Sequence, residues 1–414
     1  MSMDFEIFER NQKEIEKIVN EQIKDVEEKG LVDYQINPRA KFHLDTTKLA
    51  YHKDRVDAWL KGEKIAPITI DMALTQKCTY NCIFCYAKLQ QYPSAPVKWE
   101  TYEQFLDDCV EIGHKKGEGV KAISLVSDGE STENPDFLKF IRKAKENNID
   151  MACGTNGLKL KKEELPEIVN SLTYLRFNFD AGEPEAYAQI MGTEKINYYR
   201  VIDRIEYAVK LKKELNSDIT IGLQMVLLPE YADQVIPLAL LGKELGVDYT
   251  VIKHCSDDES GHLGVDYEWY KRDVAQKLLK TAEALSTKDY SVQAKWSKLS
   301  TGRDRKYSQC FGPGFIMQIS GSGIVAPCGP FFHKRYEQYH IGDLKKQRFK
   351  DIWESKRYNE VMKSLCSQDF DARKQCATLC LQDKVNEALY DLVEGGIDLA
   401  NVSGKKPPMH INFI

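Results

Sequence analysis

The sequence predicts an α/β protein built from six consecutive strand–helix units. Short apolar segments alternate with longer amphipathic segments between residues 66 and 286, which is typical of a parallel sheet with helices on its outer face. The chain of 414 residues is 42% hydrophobic, which is enough for one large domain or two ordinary ones. Near residue 297 the alternation gives way to a hairpin pattern. Six units suffice for a barrel, and the pattern leaves open whether that barrel is partial or closed.

The segment that precedes these units is predicted to be mainly helical. In residues 1–30 apolar side chains recur at helical spacing, and Gly30 ends the pattern. These side chains are Phe5, Ile7, Phe8, Ile15, Ile18, Val19 and Ile23. A second, short helix is predicted within residues 52–64 and ends at Gly62. We therefore expect a helical N-terminal extension over residues 1–65.

Each of the six units combines one short strand with one helix. The strands are predicted within residues 66–74, 120–126, 149–157, 173–180, 218–228 and 247–253. The helices are predicted within residues 99–117, 135–148, 161–172, 198–215, 233–246 and 267–286. In parallel α/β folds the functional loops follow the C-terminal ends of the strands. We assign this core to residues 66–300 and expect the site at that end of it.

A different pattern marks the C-terminal part of the chain. Residues 310–332 predict a β-hairpin, because apolar residues flank a Gly-Ser-Gly turn. Short helical segments follow the hairpin. We assign residues 301–395 to a separate C-terminal domain and residues 396–414 to a tail.

Charge and hydropathy exclude several classes of protein. The net charge is -5, so no basic face is predicted and a nucleic-acid partner is not expected. No apolar run approaches the ~18 residues that a membrane span needs. The first ten residues lack a basic start and an apolar stretch, so we expect no secretory signal. The simplest expectation is a cytoplasmic protein without a membrane partner.

The chain contains eleven cysteines, and they fall into groups. They are Cys78, Cys82, Cys85, Cys109, Cys153, Cys255, Cys310, Cys328, Cys366, Cys376 and Cys380. In the reducing cytosol, clustered cysteines indicate metal or cluster ligation rather than disulfides. Cys109 and Cys153 lie within apolar segments, and we interpret them as small buried hydrophobic residues.

The first group raises the question of what needs three thiolates and not four. Cys78, Cys82 and Cys85 lie just after the first predicted strand. A structural zinc site takes four protein ligands, so it would need a distant residue to complete it. A cubane [4Fe-4S] cluster has four irons. Three cysteines would leave one iron open to a substrate or cofactor, which makes sense for a catalytic site.

The spacing Cys-x3-Cys-x2-Cys, with Phe84 before the last cysteine, resembles the signature of radical S-adenosylmethionine enzymes. In that family the amino and carboxylate groups of S-adenosylmethionine chelate the open iron. One electron cleaves the cofactor reductively to a 5'-deoxyadenosyl radical, which abstracts hydrogen from the substrate. The resemblance implies a partial (β/α)6 barrel, which agrees with the six units, and a [4Fe-4S] cluster at the three cysteines.

Further motifs support this resemblance and imply the cofactor-binding residues. The turn Asp128-Gly129-Glu130 stands where the family carries a Gly-Gly-Glu-like turn, so the first glycine is replaced. An acidic side chain suits the methionine ammonium, and glycine permits close backbone approach. Many relatives have serine where Asn178 stands. The full implied set is Phe84, Tyr86, Asp128, Gly129, Glu130, Thr155, Asn156, Asn178 and Gln224.

The second cysteine group resembles the auxiliary-cluster region that is called a SPASM or twitch domain. The features that match are the hairpin flanked by Cys310 and Cys328, the following Gly-Asp-Leu, and Cys376-x3-Cys380. A full SPASM domain carries more cysteines than these. We therefore favour a twitch form with one auxiliary [4Fe-4S] cluster held by Cys310, Cys328, Cys376 and Cys380. Cys366 is the substitute if one of the four fails, or the remnant of a second cluster.

The resemblance implies a radical S-adenosylmethionine oxidoreductase or epimerase that depends on a flavodoxin- or ferredoxin-type electron donor. We expect a small polar substrate, such as a sugar, nucleotide-sugar or aminoglycoside-like molecule, and dehydrogenation as the outcome. Candidate catalytic residues follow the sixth strand: Cys255, Lys253, His254 and Asp257. Cys255 could return a hydrogen atom, as in radical epimerases, or a polar neighbour could take a proton. Maturation of a ribosomally made peptide and non-catalytic electron transfer by an iron–sulfur protein are also compatible with these residues.

Overall fold

One continuous sheet organises the protein. The computed structural model describes residues 12–36, 47–90, 92, 94–302, 304–376, 378 and 380–414. Within them the strands are β1 (Thr69–Met72), β2 (Ala122–Leu125), β3 (Asp150–Thr155), β4 (Tyr174–Asn178), β5 (Thr220–Leu227), β6 (Tyr249–His254), β7 (Ser291–Ala294), β8 (Ile316–Ile319), β9 (Ile324–Ala326) and β10 (Gly342–Asp343). In this part of the chain they form a ten-stranded sheet in the order β10-β9-β8-β1-β2-β3-β4-β5-β6-β7.

Helices cover the sheet and fill its connections. The α-helices are α1 (Gln12–Glu28), α2 (Lys53–Leu60), α3 (Trp99–Glu111), α4 (Phe137–Glu146), α5 (Leu165–Ser171), α6 (Pro184–Met191), α7 (Ile196–Glu214), α8 (Val235–Leu245), α9 (Asp273–Glu283), α10 (Trp296–Thr301), α11 (Phe349–Glu354), α12 (Lys356–Leu365), α13 (Ala372–Gln375) and α14 (Asp383–Val393). Short 3-10 helices span Leu49–His52, Tyr86–Leu89, Ser131–Glu133, Pro229–Gln234, Trp269–Lys271, Gly312–Gly314, Gly329–Phe332 and Lys334–Tyr339.

The predicted α/β core of six strand–helix units is confirmed. Strands β1 to β6 pair in chain order and in parallel, and each is followed by at least one helix. Helix α6 was not predicted. It begins at Pro184, whose fixed φ suits the first turn of a helix. It ends at Gly192, which has a left-handed φ of 57°.

The sheet extends beyond the six predicted strands at both ends. β7 pairs in parallel with β6, and it was not predicted because its four residues, Ser-Val-Gln-Ala, are too few and lack the apolar run that marked the other strands. The predicted hairpin is present as β8 and β9, and β8 also pairs in parallel with β1. In the described chain β7 and β10 are the two ends of an open strand order, which is the partial form of the barrel. The predicted domain boundary at residue 300 falls within α10 and stays a prediction.

The predicted N-terminal helices are present where the structure describes the chain. α1 buries Ile15, Val19, Ile23 and Val26, at the three- and four-residue spacing of one helix face, and packs against α9. Burial of each such side chain contributes about 1.5–3 kcal/mol. Gly30 follows the helix with a φ of 65°. The predicted helical positions Phe5, Ile7 and Phe8 lie outside the described residues.

The C-terminal residues close the end of the sheet that lies opposite the functional loops. The Lys48 ammonium donates to the carbonyls of His410 and Phe413 at 3.0 and 2.7 Å. Thr69, the first residue of β1, donates to the Asn412 carbonyl at 2.7 Å. Thr220, the first residue of β5, lies 2.8 Å from the His410 ring. The segment therefore forms a floor under the N-terminal ends of the strands.

In the part of the chain that the structure describes, none of the helices combines the length and the apolar character that crossing a membrane requires.

Candidate functional site

The three front cysteines lie beyond the C-terminal end of β1, where they line a cavity that we call the main cavity. Cys78, Cys82 and Cys85 occupy the loop between β1 and the 3-10 helix Tyr86–Leu89. All three line a cavity of about 350 Å³. Cys78 is exposed, whereas Cys82 and Cys85 are half-buried. The predicted position beyond the first strand is therefore the position that the structure shows.

Neighbouring groups hold these thiols in place. The Tyr80 amide donates to the Cys78 sulfur at 3.5 Å, and the Asn156 side-chain amide approaches the same sulfur at 3.7 Å. The Cys82 sulfur lies 4.0 Å from the sulfur of Met191. Burial raises the pKa of both Cys82 and Cys85, which disfavours free thiolates. A bound metal centre would compensate, since thiolate ligation releases the thiol protons.

This donor set suits a cluster with one open iron better than a single metal ion. Among the described residues, no three side chains of the types His, Cys, Asp and Glu are placed to hold one metal ion together. A cubane distributes its ligands over several irons, so its thiolates need not converge on one point. The three thiols face a cavity with room for a further ligand. The site therefore fits a [4Fe-4S] cluster that binds S-adenosylmethionine.

All of the predicted cofactor-binding residues except Thr155 line this cavity. Those that line it are Phe84, Tyr86, Asp128, Gly129, Glu130, Asn156, Asn178 and Gln224. Thr155 is fully buried and donates its hydroxyl to Glu130 at 2.8 Å. Its contact with the cavity is therefore indirect, through the carboxylate of Glu130.

The loop after β2 packs closely on two other loops. Gly129 has a φ of 108°, and a Cβ there would lie 2.0 Å from the Thr75 carbonyl oxygen. The Asp128 carboxylate accepts hydrogen bonds from the Ser320 hydroxyl at 2.7 Å and the Gly321 amide at 2.9 Å, both in the β8–β9 turn. Asp128 therefore fixes the hairpin to the cavity wall, a role that the motif did not predict.

Glu130 is buried and already satisfied by four donors. Its carboxylate accepts from the amide and hydroxyl of Thr132 at 3.2 and 2.7 Å. It also accepts from the Thr155 hydroxyl at 2.8 Å and the Asn156 amide at 2.7 Å. Glu130 thus joins the loops after β2 and β3. The same carboxylate borders the cavity, so it can also face the cofactor's ammonium, as the resemblance implies.

We expect Glu130→Ala to lower the free energy of unfolding as well as to weaken S-adenosylmethionine binding. Four donors would lose their acceptor, of which the Thr155 hydroxyl and the Asn156 amide are buried, and each unsatisfied buried group costs about 1–3 kcal/mol. Chemical denaturation of the reduced, cluster-free chain measures stability, and calorimetry of the reconstituted enzyme measures binding. Glu163→Ala, at an exposed glutamate, is the matched control. A stable variant with unchanged affinity would contradict both roles.

Polar side chains on β4 and β5 form the wall opposite the thiols. The Gln224 amide donates to the Asn178 side-chain oxygen at 3.0 Å, and the two residues are register partners. Arg176 also lines the cavity and was missed in the sequence. Its signal was present, because Arg176 and Asn178 alternate with Leu175 and Phe177 and period-two alternation places them on one face.

The structure does not bring the four predicted catalytic residues together at the main cavity. Lys253 lines the main cavity, and burial lowers the pKa of its amine well below the usual value. His254 is buried, its ring lies 2.7 Å from the Cys255 carbonyl, and burial lowers its pKa to about 3. Cys255 is 1% exposed and its sulfur lies 3.7 Å from the Ser256 carbonyl. Neither His254 nor Cys255 is among the residues that line the cavity.

Asp257 supports the loop that follows β6. Its carboxylate accepts from the Leu263 amide at 2.9 and 3.0 Å. Its backbone amide donates to the Thr378 hydroxyl at 2.7 Å, between the cysteines of the C-terminal group. It lies outside the main cavity but beside Tyr86 in a small neighbouring cleft. Asp257 therefore links the sixth loop to the second cysteine group.

The second cysteine group also surrounds a cavity. Cys310, Cys328, Cys376 and Cys380 line it together with apolar side chains. Burial raises the pKa of Cys310 and Cys328 well above the usual value and that of Cys376 to about 12. Cys366 is not among the residues that line this cavity, and its sulfur lies 3.5 Å from the Cys310 carbonyl. The four residues that the resemblance implied are the four that the fold brings together.

Polar groups outside this second cavity face its cysteines. The Tyr307 hydroxyl lies 3.9 Å from the Cys380 sulfur and donates to Asp383 at 2.6 Å. The Arg305 guanidinium forms an ion pair with Asp383 at 3.4 Å. The Lys298 ammonium donates to the Cys380 carbonyl at 3.0 Å. Positive charge of this kind stabilises thiolates, so the surroundings suit a negatively charged iron–sulfur centre.

Comparison with known sequences agrees with both sites. The model of the radical SAM superfamily matches residues 72–238, which contain the three front cysteines. The model of an iron–sulfur cluster-binding domain, SPASM, matches residues 310–381, which contain all five C-terminal cysteines. The two matched segments therefore require the [4Fe-4S] cluster with S-adenosylmethionine at the first site and an auxiliary iron–sulfur centre at the second.

Two relatives match this chain over most of their own length. The cofactor-modifying protein of the tungsten-containing aldehyde ferredoxin oxidoreductase of Pyrococcus furiosus is 22% identical over 302 residues, which is 69% of this chain and 81% of that protein. The AdoMet-dependent heme synthase of Methanosarcina barkeri is 24% identical over 343 residues, which is 77% of this chain and 90% of the synthase.

Solved structures show the same fold. Streptococcus suis SuiB bound to S-adenosylmethionine superposes with a TM-score of 0.56 at 17% identity, and the match covers 79% of this chain and 76% of SuiB. The chain belongs to the radical SAM superfamily, in the group that carries a C-terminal SPASM-type iron–sulfur domain.

Proposed function

We propose that this radical SAM enzyme dehydrogenates a small polar substrate. When bound, the cluster and S-adenosylmethionine supply a 5'-deoxyadenosyl radical that abstracts one hydrogen atom from the substrate. Dehydrogenation then removes one more electron and one proton. It therefore needs an electron acceptor and a base that reach the substrate. The four-cysteine site and Lys253 are the features of this chain that suit those two requirements.

The position of Lys253 is the observation that carries the proposal. Of the four residues predicted to be catalytic, it is the one that lines the main cavity. Burial lowers its pKa well below the usual value, which increases the fraction of neutral amine that can accept a proton. Asn178 and Gln224 lie on the same wall and offer hydrogen-bonding groups that suit a polar substrate or the cofactor.

The surroundings of Cys255 favour dehydrogenation over epimerisation. A hydrogen donor must reach the substrate radical, whereas Cys255 is buried behind the cavity wall with its sulfur against a backbone carbonyl. Burial also raises the pKa of its thiol. Epimerisation would require this side chain to reorient into the cavity.

The size of the cavities supports a small substrate. The main cavity measures about 350 Å³ and must also hold the cofactor, and an inner cavity beyond it measures about 210 Å³. Known small-molecule pockets span about 300–1,000 Å³. Peptide maturases often carry a small three-stranded module that binds the leader of their substrate peptide. In the described N-terminal residues, 12–36 and 47–65, the regular elements are helices and no strand is present, so they do not resemble such a module. SuiB, which has been solved with its precursor peptide SuiA, shares the fold.

Anaerobic turnover with reductant and S-adenosylmethionine should yield 5'-deoxyadenosine even without substrate, because an open site permits slow uncoupled cleavage. With the true substrate, mass spectrometry should find a product that is lighter by two hydrogens, with one S-adenosylmethionine consumed per turnover. Lys253→Met should retain uncoupled cleavage and lose product formation.

The variant Cys255→Ala separates dehydrogenation from epimerisation. Cys255→Ala should leave dehydrogenation nearly unchanged, since its thiol lies outside the cavity. Epimerisation would instead be established by a product of unchanged mass in ordinary water. In heavy water that product would carry one solvent deuterium, and the label would be lost in Cys255→Ala. Absence of 5'-deoxyadenosine under all reducing conditions would identify an electron carrier.

A further inference from the structure

A second cavity lies inside the sheet, between the cofactor site and the C-terminal floor. It measures about 210 Å³. Tyr86, Val126, Arg176, Gln224 and Lys253 line both this inner cavity and the main cavity, so the two adjoin each other. A molecule held partly in the inner cavity would therefore present its other end to the site where hydrogen abstraction takes place.

The lining of the inner cavity is strongly basic. Five basic side chains line it, against one side-chain carboxyl group, Asp71, and the last residue of the chain, Ile414. The basic residues are Lys48, Arg176, Lys253, Lys295 and Lys298. Burial raises the pKa of Asp71 to about 7 even though Arg176 opposes this shift, so this carboxyl is only partly ionised near neutral pH. Buried charge of one sign is costly unless it is paired.

Arg176 is the residue whose environment points most clearly to an anionic ligand. Its Nε atom is buried and has no hydrogen-bond partner among the described residues. Two of the other cations are engaged by carbonyl groups: Lys48 by the C-terminal floor and Lys298 by Cys380. An arginine fork is shaped for bidentate contact with a carboxylate or phosphate.

The sheet makes room for the Arg176 side chain. Its register partners on both neighbouring strands are glycines, Gly154 on β3 and Gly222 on β5. A Cβ at Gly154 would lie 2.9 Å from the Arg176 Nη2 atom, so this glycine is the one that makes room for the guanidinium. A Cβ at Gly222 would instead lie 2.4 Å from the Tyr249 ring, which also lines the inner cavity. The guanidinium is therefore placed by the strands and not by a flexible loop, as a binding group should be.

We propose that the inner cavity binds an anionic group of the substrate, a carboxylate or a phosphate, and that Arg176 is the residue that holds it. The inference rests on the proposed function and narrows its substrate class, because a polycationic aminoglycoside would be repelled by this lining. At about 210 Å³ the cavity takes the anionic end of a small molecule, and the remainder extends into the main cavity beside Lys253.

The test measures binding of simple anions and needs no turnover. Reconstituted enzyme, saturated with S-adenosylmethionine, is dialysed to equilibrium against labelled inorganic phosphate or malonate. We expect Arg176→Met to weaken binding of the anion by about tenfold or more, since a charge-assisted hydrogen bond is lost. Arg176→Lys should restore part of it. Lys161→Met, which removes one positive charge from an exposed side chain, should leave it unchanged. Iron content and circular dichroism establish that the variants fold alike.

The same variants distinguish the two sources of a carboxylate. If Arg176 serves the substrate, Arg176→Met should bind S-adenosylmethionine as the parent enzyme does. The opposite result has two parts: Arg176→Met binds S-adenosylmethionine more weakly, and the parent enzyme saturated with S-adenosylmethionine binds no phosphate or malonate. Together they would assign Arg176 to the cofactor's carboxylate and overturn the proposal. Anion binding that is equal in Arg176→Met and the parent would overturn it too. Failure of dehydrogenation alongside intact anion binding would count against the proposed function alone.

Discussion

Replacing Cys78, Cys82 and Cys85 together by alanine should reduce the iron content of anaerobically reconstituted protein from about eight to about four atoms per chain. It should also abolish formation of 5'-deoxyadenosine. These three thiols line the cavity of about 350 Å³ at the end of β1, whereas the second set of cysteines lies around a separate cavity. The two sites share no cysteine, so loss of one should leave the other loaded.

Iron and sulfide analysis, together with electron paramagnetic resonance of the reduced protein, measures this outcome. Cys109→Ala is the matched control, because Cys109 is 0% exposed and belongs to the hydrophobic core. It should keep about eight irons. Stoichiometric zinc in protein purified anaerobically, with no cluster after reconstitution, would contradict both iron–sulfur sites.

The second large effect concerns the C-terminal cysteines. Cys380→Ala should lose the auxiliary cluster and about four irons, because Cys380 lines the second cavity with Cys310, Cys328 and Cys376. Cys366→Ala should keep those irons, since its sulfur contacts the Cys310 backbone outside that cavity. The two variants remove the same atom, so the difference between them reports position alone.

Loss of the auxiliary cluster should stop dehydrogenation but not uncoupled formation of 5'-deoxyadenosine, if this cluster accepts the substrate's electron. Purified Cys380→Ala should therefore show an S-adenosylmethionine cleavage rate close to that of the parent and no product. Loss of iron in Cys366→Ala, with retention in Cys380→Ala, would show that the ligand set is different. Unfolding of Cys380→Ala, measured by circular dichroism, would instead show that the cluster is a structural element of the domain.

Much of the fold could be predicted because it depends on local pattern. Six alternating segments predicted β1 to β6 and their helices, and a Gly-Ser-Gly turn predicted the β8–β9 hairpin. β7 could not be recognised, because its sequence Ser-Val-Gln-Ala has no apolar run. The pairing of β8 with β1 was also hidden, since residues 316–319 and 69–72 are far apart in the chain and carry no shared signal.

The residues of the candidate site could also be predicted in part, but most of their contacts could not. Cysteine spacing identified the first ligand set, and strand ends identified the loops that surround it. The hydrogen bonds of Asp128 to the β8–β9 turn and the four donors around Glu130 were not predictable. They depend on which loops meet after the sheet has formed, and a motif records only the residue type.

By itself the sequence determined the thiol spacing of the front site, the α/β alternation and the residues of each loop, because these are properties of neighbouring residues along the chain. The tertiary structure decided which distant groups share a cavity. It places Cys376 with Cys310 and leaves Cys366 outside, and it turns Lys253 toward the cavity while Cys255 is buried behind the wall. Residues two apart on a strand point to the same face, so alternation alone would place Cys255 beside Lys253. Because β6 ends at His254, the direction of the Cys255 side chain depends instead on the path and packing of the loop that follows. These are set by contacts between segments that lie far apart in the chain.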